Sequence, residues 1–363
     1  MTAPVSRVAL PDHAHHMHQH DFLPPLMGAG TYAVDPEPSG QPWRSWDEIG
    51  EAEAAERGVF APVARLSCGE PGAVVLAPGD TRGTVFIPDR LDGYCLGLAD
   101  YDGPNLACAA CGLPVAVRVD DCSYWQEVRL RPSAVRRVAG PGRGLEPRPV
   151  PWDFLRDEYA DVPPLDASGY WDGRWEAAVG ASLAHLFAAS AGALVSLPPG
   201  LLTTCFGRAC DRLLPAGRAV GRAAGPAGAS AAGSRAASAT RTVALGGPGV
   251  PDAQADILLV PRHPQTGRTW SPPGAGSRVA TVPLAAEVWL HLAFARDLSR
   301  LPVTGGLPPG VQRDDPLPLH PRSLFRPAWG VFRHTLARLP AVRSPWLRAV
   351  YDGLPAYPHL GPF

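Results

Sequence analysis

Apolar and polar positions alternate most clearly in two short stretches of the first half of the chain. Pro114–Val119 (PVAVRV) places a β-branched residue at every second position, the pattern of a half-buried strand, and Tyr124–Leu130 (YWQEVRL) reads as a strand as well. Val59–Leu66, Ala73–Ala77 and Gly83–Pro88 read as further short strands, punctuated by Gly69-Glu70-Pro71-Gly72 and Pro78-Gly79-Asp80. Ser45-Trp46-Asp47-Glu48 has the spacing of a capping box and predicts a helix running to about Arg57.

The period changes in the second half. Asp172 is placed to cap a helix whose Trp175, Val179, Leu183 and Leu186 fall on one face, with Glu176 and His185 off that stripe. Thr204–Leu214 predicts another helix, on which Cys205 and Cys210 point in different directions. Thr242–Leu245 and Asp256–Val260 read as strands, the second buried because its apolar run is unbroken, and Arg262–Arg268 reads as a turn. Leu284, Val288, Leu292 and Ala295 align on a helix over 284–295. Pro327 opens a helix with Trp329, Phe332, Leu336 and Leu339 on its apolar stripe, and Ser344-Pro345 starts a last short one.

These elements predict an α+β protein. A small antiparallel β domain over 45–135 follows a His-rich tail over 1–44 that reads as unstructured. A linker over 136–166 leads to a mixed α/β or α+β domain over 167–363, interrupted by a flexible Ala/Gly/Ser segment at 216–239.

Composition narrows the chemistry. All basic residues are arginine, so P-loop, Schiff-base and serine–lysine mechanisms lack their amine. A net charge of −1 gives no general pull toward nucleic acid or membrane. The N-terminal MTAPVSRVALPDHAHH has no apolar core suited to secretion, and Val179–Leu197 is too rich in Ala, Ser and Gly for a membrane span. A cytoplasmic location is therefore expected. His13, His15, His16, His18 and His20 would hold a metal only loosely on an unstructured tail.

The densest chemistry lies between Tyr94 and Leu130. Cys95, Cys108, Cys111 and Cys122 are four of the seven cysteines, spaced C-x12-C-x2-C-x10-C, and Gly112 follows the close pair. Two thiolates two residues apart on a glycine turn can share a tetrahedral metal, so the stretch resembles a zinc ribbon holding one structural Zn2+ per chain. Cys68 is an alternative for Cys95 or Cys122, and buried free thiols are the bland alternative. No histidine falls between His20 and His185, which favours a closed structural site over a catalytic one.

The leading expectation is a protein-interaction or regulatory role with an unidentified protein partner. A nucleic-acid role would use the ribbon, the strip Arg129, Arg131, Arg136, Arg137, Arg143 and Arg148, and the terminal Arg322, Arg326, Arg333, Arg338, Arg343 and Arg348. An enzyme would draw on Asp252, Asp256 and His263 in the second domain. The sequence leans away from an enzyme, having no H-E-x-x-H, G-x-S-x-G or strand-borne G-x-G-x-x-G.

Overall fold

The computed structural model describes residues 2–15, 23–91, 95, 98–99, 103–138, 148–166, 168–214, 240–273, 279–295 and 321–354. The expected flexible segment at 216–239, the Gly140–Gly144 turn, and His16, His18 and His20 lie outside them, as does the side chain of His15. The described residues form helices and mixed sheets, an α+β fold.

A seven-stranded sheet occupies the first third of the chain. Its strands are β1 (Ser6–Arg7), β2 (Thr31–Ser39), β5 (Glu70–Leu76), β6 (Thr84–Phe86), β7 (Leu106–Cys108), β8 (Pro114–Val119) and β9 (Glu127–Leu130), in the order β1-β2-β5-β9-β8-β7-β6. All neighbours run antiparallel except β1 and β2. Strand alternation separates its two cores. Leu76 packs with Leu106, Val115, Ala116, Val128 and Leu130, whereas the adjacent Val75 packs with Leu26, Met27, Ala33 and Ala77 on the other face.

The unstructured reading of 1–44 therefore gives way to a different picture. β2 lies inside the sheet, and its Asp35 accepts an ion pair from Arg129 at 2.7 Å. His13 is buried against Trp125, with ring centroids 4.6 Å apart. β2 was illegible because Pro36 and Pro38 argue against a strand; the register shifts between Asp35 and Pro38, which accommodates them.

The predicted capping box is present: the Glu48 amide donates to Ser45 Oγ at 3.3 Å, and the Ser45 amide to Glu48 Oε2 at 2.8 Å, opening α1 (Trp46–Glu56). α1 does not pack on the sheet core. Ile49, Ala54, Val59, Ala61 and Leu66 join the large core of the C-terminal half, so the division at residues 45 and 135 does not follow the packing. A two-stranded ribbon, β3 (Trp43–Ser45) with β4 (Arg65–Ser67), flanks α1.

After the short α2 (Leu155–Glu158), α3 (Gly173–Ser190) starts at Asp172, whose carboxylate accepts the Arg174 amide at 2.8 Å. It lies against a four-stranded parallel sheet ordered β10 (Leu194–Ser196), β11 (Thr240–Leu245), β12 (Ile257–Arg262), β13 (Ala280–Ala285). Ser182 Oγ donates to the Pro283 carbonyl at 2.6 Å across that contact. α4 (Arg208–Leu213) follows a π-helical turn at Thr203–Gly207, and α5 (Ala286–Phe294), α6 (Trp329–Ala337) and α7 (Pro345–Asp352) complete the layer. α3 and α6 approach closely at Gly180, where a Cβ would stand 2.6 Å from the Ala328 carbonyl oxygen. Trp175, Phe187, Trp289 and Phe332 fill the core between them.

Candidate metal centre

The structure places the predicted cysteines as two pairs, one at each end of β8. Cys108 closes β7, and the chain turns through Ala109–Leu113 into β8; Cys95 and Cys122 meet beyond its far end. A six-residue strand spans roughly 20 Å, so the four sulfurs do not converge on one ion. Spacing alone could not show this, because it counts residues and not which end of a strand they reach.

At the far end, ligand atoms of Cys95, Asp121 and Cys122 lie within 4.8 Å of one another. Asp121 is buried and positions the other two: its Oδ1 accepts the Cys122 amide at 2.7 Å, and the Cys95 amide reaches the same carboxylate at 3.2 and 3.3 Å. The Asp120 amide bonds the Leu98 carbonyl at 2.9 Å, an isolated bridge just past the end of β8. Ser123, next in the chain, has φ +74°, a left-handed conformation that costs a non-glycine residue about 1–2 kcal/mol. The Cys95 thiol, burial and the Asp121 carboxylate push the Cys122 thiol up to about 11. A bound divalent ion would reverse that penalty on Cys122. Asp121 carries no ligand spacing in the sequence; the one signal is a carboxylate adjacent to a cysteine.

At the near end, the amides of Ala110 and Cys111 and the Cys111 side chain all turn on the Cys108 sulfur, holding its thiol below the ordinary range. Gly112 takes the positive φ expected of it, +74°.

Cys68 sits elsewhere, packed against the large core and beside Arg57. Cys205 and Cys210 are buried, and burial pushes both thiols up, so they are inert. All seven cysteines are free.

The other candidate residues disperse. Asp256 precedes β12 and bonds the amide and hydroxyl of Thr242 at 2.8 and 2.9 Å, while His263 follows β12 at its opposite end, with Nε2 2.8 Å from the Val150 carbonyl. Asp252 lines an open groove with Trp152 and Trp270. Most terminal arginines are engaged within the chain: Arg322 over Tyr170, Arg333 over Tyr351, Arg343 over Phe60, Arg338 on Glu37 and Arg348 on Asp352. Arg129 is buried between Asp35 and Glu127, 2.7 Å from each. No helix among the described residues is long and apolar enough to cross a membrane.

One polar cluster was missed. Arg262, at the carboxyl end of β12, pairs with Asp12 and donates to the Leu10 carbonyl at 3.0 Å, joining the N-terminal segment to the parallel sheet. Glu37 reaches His334 at 3.2 Å and Arg338 across the same junction. A cavity of about 170 Å3 lies there, lined by Asp12, Asp35, Glu37 and Arg262 among others. Pairings 250 residues apart leave no sequence signal.

No family model, curated protein or solved structure matches the chain. The reading of the site rests on its own geometry.

Proposed function

We propose that this chain is a metal-binding protein in which Cys95, Asp121 and Cys122 hold a zinc ion with a structural role, presenting the seven-stranded sheet to a protein partner. The observation that carries the reading is the convergence of three ligand atoms within 4.8 Å, with Asp121 held in place by backbone amides. Two sulfurs and one oxygen suit zinc better than the hard cations. Because Cys95 is far in sequence from Cys122, metal binding there is also folding energy for this end of the sheet.

The test is zinc uptake by the full-length chain followed by alkylation of its thiols. Zinc protection of Cys95 and Cys122, lost in Asp121→Asn, supports the site. Equal alkylation of both cysteines with and without zinc would refute it.

Of the arginines behind the nucleic-acid reading, Arg129, Arg333, Arg338 and Arg343 are engaged within the fold, whereas Arg131, Arg136 and Arg137 are exposed. A second reading, a small-molecule site, is favoured by the cavity at the carboxyl end of β12, the position where parallel sheets bind ligands. A thermal-shift screen comparing the natural chain with Arg262→Met tests it: a ligand that stabilises only the natural chain supports a site there.

A further inference from the structure

The Cys108–Cys111 turn is half of a coordination sphere. The Cys108 amide donates to the Leu113 carbonyl and the Gly112 amide to the Cys108 carbonyl, both at 2.9 Å, which fixes a tight hairpin tip. Within it, Cys108 and Cys111 share one turn, with the amides of Ala110 and Cys111 and the Cys111 side chain hydrogen-bonding to Cys108. Among the described residues, no other Cys, His, Asp or Glu joins this pair within ligand reach. The pair offers two of the four donors that a tetrahedral zinc takes.

We infer that two copies of the chain meet at this tip and share one zinc ion, each contributing Cys108 and Cys111. A two-fold axis through the metal turns the half-set into four thiolates, the closed soft set that structural zinc takes. The tip can be approached by its own copy. Ala109, Ala110, Cys111, Gly112 and Leu113 are all exposed, and none carries a charge that a symmetry mate would repel. Leu113 and Val85, each 50% exposed, add apolar surface that the contact would cover; Val85 adjoins Thr84, the partner of Cys108 in the sheet. On binding, four thiols release their protons to solvent and zinc remains divalent, so no oxidant or reductant is required. The inference does not depend on the Cys95 site, which lies beyond the other end of β8.

Sedimentation of the full-length chain with zinc and with excess chelator tests it, together with Co2+ absorption, whose charge-transfer bands count thiolate ligands. The expected result is a zinc-dependent dimer that chelator returns to monomer. Cys111→Ser should abolish the dimer and leave metal at Cys95 and Cys122; Cys122→Ser should do the reverse. A measurement on the natural chain guards against misfolded variants: zinc protection of Cys111 from alkylation should fall on dilution, because a bridging site is concentration-dependent. A monomer at saturating zinc, a dimer that survives chelation, or protection unchanged by dilution would each overturn the proposal.

Discussion

Asp121 and Arg129 show how much single side chains carry here. Replacing Asp121 by Asn keeps the shape but removes the charge that accepts the Cys95 and Cys122 amides. We expect a loss of about 1–3 kcal/mol in urea unfolding, together with loss of metal. Arg129→Met leaves Asp35 and Glu127 buried without their cation, and should cost about 3–5 kcal/mol in the same assay. Arg129→Lys should recover only part of that, because one ammonium cannot reproduce two directed guanidinium contacts. At this scale the sequence was half legible. The cysteines announced themselves by type and spacing, and Gly112 by the turn it had to make. Asp121 did not, because a carboxylate after a strand is far more often a turn residue than a ligand. Arg129 read as one of a basic strip, although its partner Asp35 lies 94 positions away.

Among elements, helices were the easier reading. The capping box at Ser45, the Asp172 cap and the apolar stripe of α3 stand where local signals put them, whereas α6 starts at Trp329 rather than Pro327 and ends before Leu339. Strands paired at a distance were harder. β13 was absorbed into the helix that follows it, since Leu284 fits both periods and Pro283 disguises the strand. β2 was missed for its prolines. Its place between β1 and β5 makes a firm prediction: a chain lacking residues 1–44 should fail to give a folded monomer by circular dichroism and size exclusion. At the α3–α6 crossing, Gly180→Ala must push a methyl group into the Ala328 carbonyl, and should lower stability by about 1–3 kcal/mol. A thermal melt unchanged by that substitution would mean the helices are further apart than described.

Across the whole molecule, the two sheets are joined by charged pairs rather than by a flexible linker alone. Glu287, at the start of α5 near this junction, has its carboxyl raised, chiefly by burial and also by Asp12, against the pull of Arg174 and Arg262. Its folded form therefore keeps a proton that the unfolded chain releases above its ordinary value of 4.5, and stability is lost as pH rises through that window. Glu287→Gln should raise the melting temperature near neutral pH and have little effect at about pH 4, where both states are protonated. A gain of equal size at both pH values would exclude the charge as its cause.

The central claim is that the cysteines of the seven-stranded sheet exist to hold metal, and native mass spectrometry of the full-length, untagged chain with zinc addresses it most directly. The account predicts a dimer carrying about three zinc ions, one per Cys95 site and one shared, with chelation restoring a metal-free monomer. A metal-free monomer in the presence of zinc, with Cys95, Cys108, Cys111 and Cys122 all open to alkylation, would contradict it.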